Sequence, residues 1–130
     1  MTIQQVIASE QEINTIEVSK IKSLEGFEKF YSEGVIIIQS DGTTFEGKEA
    51  CRAMEEGFNS SIITITDKRL LASVVLPSDE PEYEFLVVST WYYDLMTSMY
   101  PIKGNQTSLC YWANDKIQKV TFKSGSEIIA

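Results

Sequence analysis

Hydrophobic positions change their period along this chain. Between residues 3 and 24 they recur about every 3.6 residues, with Ile3, Val6, Ile7, Ile13, Ile21 and Leu24 on one side and Ile16 at its margin. That pattern predicts an amphipathic helix, with Thr2 as its N-cap. Gly26 interrupts it, and "LEGFEKFYSEG" (24–34) reads as a short second helix ending near Gly34, anchored by Phe27, Phe30 and Tyr31. The run "VIIIQ" (35–39) has the continuous apolar character of a covered strand. Asp41-Gly42 then predicts a tight turn, because glycine tolerates positive φ and aspartate can bond its own backbone. A strand stub, "TTFE", follows. Gly47 caps a helix through Phe58 that turns Ala50, Cys51, Met54 and Phe58 inward.

From residue 61 the pattern is β. "SIITITDKRLLASVVL" (61–76) and "EYEFLVVSTWYYDLM" (82–96) read as long strands, with Pro77 and Pro81 bracketing the break between them. "TSMYPIKGNQ" (97–106) reads as a loop, "TSLCYWA" (107–113) as a third strand, and "NDK" turns the chain into "IQKVTFKSG". Helices followed by strands predict an α+β fold, an antiparallel sheet with helices on one face. Long strands can curl such a sheet and leave a ligand cavity beneath it.

Composition narrows the function more than the fold. The 130 residues are most simply one domain, spanning 1–130, with no linker or repeat to divide them. A formal charge of −8 without a basic cluster argues against nucleic acid and anionic membranes as partners. No run reaches the roughly 18 apolar residues of a membrane span, and "MTIQQVIASEQEI" lacks the basic start of a signal peptide, so a cytoplasmic location is expected. Cys51 and Cys110 lack metal-type spacing and read as unbridged thiols. Histidine is absent, which removes Ser–His and Cys–His nucleophiles and the common zinc sites. Neither a metal nor a cofactor is implied. Acid–base chemistry falls to carboxylates, Tyr, Lys or Cys.

The order helix, short helix, "VIIIQSDGTTFEGKEACRAM", long strands and a closing "WANDKIQKVTF" resembles the nuclear transport factor 2-like superfamily, its SnoaL-like branch most of all. The likeness covers nearly the whole chain and rests chiefly on residues 41–50 and the turn at 114–117. It implies a cystatin-like cone: a strongly curved antiparallel sheet wrapped around N-terminal helices, with a pocket at the open end. It also implies a homodimer and a small-molecule ligand. Steroid isomerases, dehydratases, cyclases and non-catalytic modules share that fold, so it implies no single activity. The steroid-isomerase-like members place a carboxylate base where this chain has Ile38 or Gln39, a first-helix Tyr that it lacks, and a late-strand Asp where it has Thr107. Asp41 falls in the turn instead.

Three sets of residues remain as candidate chemistry. Glu10 and Glu17 lie seven residues apart in the apolar stripe of the first helix; either they face the pocket, desolvated and able to move protons, or the helix turns them to water. Strand alternation puts Tyr83, Phe85, Val87, Trp91 and Tyr93 on one face, and Leu86, Val88, Tyr92 and Asp94 on a second that would suit a dimer contact. Trp91 and Tyr93, with Tyr111 and Tyr31, are the candidate ligand-binding aromatics; the same rings could simply fill a core. Asp94 is a further candidate acid, or a solvated strand residue. Two functions follow: a small-molecule pocket with carboxylate or Tyr acid–base chemistry, and a non-catalytic dimeric module with a filled cavity.

Overall fold

A computed structural model describes residues 1–19 and 22–124 of the chain. Ile21, expected on the apolar stripe, lies outside the described residues. The first helix, α1, is Ile3–Ser19. Thr2 caps it reciprocally: its Oγ1 accepts the Gln5 N–H at 3.2 Å, and the Gln5 Oε1 accepts the Thr2 N–H at 2.6 Å. The inward row of α1 is not purely apolar. Val6, Glu10 and Ile16 are buried, while Ile3 and Ile7 are exposed.

Helix α2 is Glu25–Phe30, shorter than the expected segment, and strand β1 begins immediately after it as Tyr31–Ile38. Tyr31 is thus the first strand residue and not a helix end, and Gly34 terminates nothing. The expected anchoring holds: Phe27 and Phe30 are buried, and the Phe27 and Tyr31 rings stand 4.8 Å apart. Parallel pairing of β1 with a distant strand captures Tyr31, so tertiary hydrogen bonds override the local helical pattern.

Strand β2 (Thr44–Glu46) returns along β1 through the expected turn. The Asp41 Oδ1 accepts the Thr43 N–H at 2.9 Å, and this bond holds its carboxyl below the usual range. Gly42 has φ +90° and Gly47 φ +89°, conformations that favour glycine, and α3 (Lys48–Ser61) starts directly after Gly47. Cys51 is buried and Met54 half-buried as expected, but Ala50 and Phe58 are exposed.

Four long strands complete a six-stranded sheet: β3 (Ile62–Pro77), β4 (Phe85–Thr97), β5 (Pro101–Ala113) and β6 (Lys116–Ser124), in the spatial order β2-β1-β6-β5-β4-β3. Every junction is antiparallel except β1–β6, which is parallel, so the expected antiparallel sheet is mixed. Register shifts near Ile62, Ile65 and Leu70 bend β3, as inserted residues do. The expected loop at 97–106 is mostly strand. A tight turn closed by Thr97 lets β5 pair with β4 continuously from Met96↔Pro101 to Phe85↔Trp112. Asn114 and Asp115 both take positive φ, which makes the tight β5–β6 turn expected of "NDK".

The core lies where α1, α2 and the start of α3 meet the concave face. It gathers Val6, Phe27, Phe30, Val35, Ile37, Cys51, Val87, Trp112, Ile117 and Val120. Within it the Trp112 Nε1–H donates to the Glu10 Oε1 at 2.9 Å, tying α1 to β5. Burial pushes the Glu10 carboxyl up to about 6, and the Trp112 bond only partly offsets this.

Trp112→Phe should lower stability by about 2–3 kcal/mol, because it leaves a buried carboxylate without its donor. Chemical denaturation at neutral pH measures this. At pH below about 4.5, where Glu10 is protonated in both folded and unfolded chains, the deficit should shrink.

Candidate functional site

The helices do not fill the concave side of the sheet. Beyond the core a cavity of about 490 Å³ remains between α1, α3 and strands β1 and β3–β6. Strand alternation decides what reaches it. From β4 the odd-numbered Ser89, Trp91, Tyr93 and Leu95 point inward; from β5 the even-numbered Ile102, Gln106, Ser108 and Cys110 do so. Trp91 and Tyr93 stack with centroids 6.4 Å apart and planes inclined by 23°. Tyr31 and Phe27 contribute further rings.

Helix spacing decides the opposite wall. In α1 the row Glu10, Ile13, Glu17 turns inward at intervals of three and four, so both glutamates border the cavity. Glu17 is half-exposed and pairs with the Lys68 Nζ at 2.6 Å. That ammonium also sits over Trp91, 5.7 Å from the ring centroid.

The sequence reading missed Glu55. On α3 it stands one turn past Cys51 and faces the cavity from the side opposite β4. Burial pushes its carboxyl up to about 7; the Glu17 carboxylate adds to the rise and Lys68 opposes it. Among the described residues it has no hydrogen bond or ion pair. The available signal was the i, i+4 relation to Cys51, the same counting that singled out Glu10 and Glu17.

Burial raises Tyr31 and Tyr93 well above the ordinary tyrosine value, and the Glu17 and Glu55 carboxylates raise both further. Cys110 is raised by burial and then by Glu10, so it is an inert thiol and not a nucleophile. Cys110 and Cys51 are unbridged.

Two sequence candidates stand elsewhere. Tyr111 points to the convex face, where its ring lies 5.2 Å from Tyr83 and under the Lys119 ammonium. Phe85, Val87, Trp91 and Tyr93 share the concave face as expected, but Tyr83 precedes β4 and packs outside with Tyr111. Asp94 is also convex, opposite Asp67 and Lys103 in the register. Thr107 bonds Thr90 at 2.8 Å on that face, whereas Gln39 borders the cavity. Asp41 reaches the cavity mouth, but its oxygen is committed to the turn.

Chemically, the arrangement offers a stacking wall, two raised carboxyls and tyrosine hydroxyls within a partly dry space. It can hold a flat molecule, and Glu55 can accept or donate a proton near neutrality.

No family model and no curated protein matches the chain. Solved structures do. A protein from Jannaschia sp. CCS1, described provisionally as a SnoaL-like polyketide cyclase, superposes with a TM-score of 0.72 at 9% identity, covering 97% of this chain and 89% of that one. A protein from Catenulispora acidiphila with a ketosteroid isomerase-like fold, in complex with trimethylamine, gives 0.62 at 10% identity, covering 94% and 85%. A de novo designed protein with a curved β-sheet gives 0.67 at 15% identity, covering 98% and 91%. With its helices held inside a curved, unclosed sheet, this chain has the nuclear transport factor 2-like α+β cone fold.

Proposed function

We propose that the cone cavity binds a small, partly aromatic molecule and that proton transfer by carboxylate is the chemistry open to it. The carrying observation is Glu55, a half-buried carboxyl with no partner, raised to about 7 across a cavity from the Trp91–Tyr93 stack. A volume of about 490 Å³ falls among small-molecule sites. A purely structural module would gain stability by replacing Glu55 with an apolar residue, since a buried carboxyl without a partner costs free energy. The trimethylamine held by one fold neighbour fits a small-molecule occupant. An isomerase, dehydratase or cyclase built here would use Glu55 with Tyr31 or Tyr93, because the resemblance aligns the steroid-isomerase carboxylates with Ile38 or Gln39 and with Thr107. Two unbridged cysteines fit the reducing, cytoplasmic setting that this reading assigns. Among the described residues no helix is long and apolar enough to cross a membrane.

The same reading includes a homodimer. On the convex face Val74, Val88 and Leu109 lie side by side across β3, β4 and β5, with Leu76 beside them. Val74 is 49% exposed and Leu76 40%. A second copy of the chain would cover this apolar band.

Three measurements check these statements. 2-Naphthol should quench tryptophan fluorescence saturably, and Trp91→Ala should abolish the effect; a linear, unsaturable response from the native protein contradicts the pocket. Glu55→Gln should stabilise the protein by on the order of 2–3 kcal/mol at pH 8. The folded state binds more protons than the unfolded one between pH 4.5 and about 7, so native stability falls as pH rises through that window, and the substitution flattens the fall. Light scattering should give a dimer mass for the native chain and a monomer mass for Val74→Glu.

A further inference from the structure

The polar groups of the cavity are unevenly matched in charge. Four carboxylates border it among the described residues, Glu10, Glu17, Asp41 and Glu55, against two ammonium groups, Lys22 and Lys68. Both cations are engaged: Lys68 with Glu17, and Lys22 with the Ile62 carbonyl at 2.6 Å. Glu10 accepts from Trp112 and Asp41 from Thr43. Glu55 is the carboxylate left over, and it lies close enough to the Glu17 carboxylate to be perturbed by it.

The aromatic side of the cavity has matching capacity. Tyr31 and Tyr93 border the same space, both feel the Glu55 charge, and neither hydroxyl has a hydrogen-bond partner among the described residues. Their oxygens can accept, and ring faces attract cations. The cavity already holds one ammonium in this way, with Lys68 clamped between the Glu17 carboxylate and the face of Trp91. An incoming anion would meet surplus negative charge. A neutral molecule would leave Glu55 unpaired in a partly dry space, where that is costly.

We propose that this cavity selects organic ammonium ions, an aryl or alkyl amine whose nitrogen pairs with Glu55 while its apolar part lies against Trp91 and Tyr93. This deepens the small-molecule reading and rests on it. The amine enters charged, and Glu55 must give up its proton to pair with it. Affinity should therefore rise with pH through the range in which Glu55 ionises. Glu10, Glu17, Lys68, Tyr31 and Tyr93 face the same space. Glu10, raised by burial to about 6, ionises just below neutrality as well, but its bond to Trp112 points its oxygen at β5.

Titration calorimetry of the full chain with benzylamine, benzyl alcohol and benzoate separates the outcomes, because the three probes share one ring and differ in charge. Near pH 8 benzylammonium should bind about tenfold more tightly than the alcohol, and benzoate should bind more weakly than either. Near pH 5.5 the preference for the amine should largely disappear. Glu55→Gln should remove the preference at both pH values. Glu12→Gln, which deletes an exposed carboxylate outside the cavity, should keep it. Equal affinity for amine and alcohol in the native protein overturns the ammonium proposal while leaving the pocket intact. So does a preference that survives Glu55→Gln or vanishes in Glu12→Gln. Failure of all three probes to bind overturns the pocket reading itself.

Discussion

The hydrogen bond from Trp112 to Glu10 sets the rotation of α1, and the character of the cavity follows from it. A helix lying in a curved sheet can turn about its own axis with little change in apolar contact. Ile3 and Ile7 are as hydrophobic as Val6 and Ile16, yet only the latter pair is buried. What distinguishes the two settings is the buried indole N–H of Trp112, which needs an acceptor, and Glu10, which supplies it. Once Glu10 faces β5, helical spacing directs Ile13 and Glu17 into the open part of the cone. Lys68 then meets Glu17 from β3 and is drawn across Trp91.

The second constraint is length. Strands β3, β4 and β5 run 16, 13 and 13 residues, more than the helices beneath them can cover. Side chains fill the concave face near Val35, Ile37 and Val120, but farther along it Ser89, Trp91, Tyr93 and Gln106 face open space. Glu55 and the two tyrosines occupy the boundary between filled and open regions. There they lose much of their water without gaining protein partners, which is why their protonation equilibria shift. The cavity and its chemistry share one cause, a sheet too long for its helices.

Much of this was legible in the residues, and the failures share a form. The turn at Asp41-Gly42, the helix start at Gly47 and the "NDK" turn are local, fixed by backbone conformations that few residues tolerate, and the chain adopts all three. Tyr31, Gly34 and residues 97–106 depart from their local pattern because distant pairing partners decide their state: β6 for Tyr31 and β4 for Pro101–Gln106. Alternation within β4 separated Trp91 and Tyr93 from Asp94 correctly. It could not carry over to the neighbouring strand, since facing is set by register, and Tyr111 pairs with Leu86 on the convex side. Glu55 was missed for a different reason. The apolar residues of its helix do not mark it, because the inward row there continues from Cys51 through a carboxylate.

The fold by itself carries little of the function. A designed protein with a curved sheet reproduces it across nearly the whole chain, so the cone needs only bent strands, matched turns and helices to cover them. Individuality lies in the few polar groups at the cavity boundary. Glu17 and Glu55 show how fine that distinction is. They are chemically identical side chains on facing helices, yet one is neutralised by Lys68 and the other is left to ionise against its own burial. Moving a single lysine would exchange their roles without disturbing one turn or strand pairing. The cone accommodates either arrangement, so the imbalance at Glu55 is a property of this chain and not of the fold.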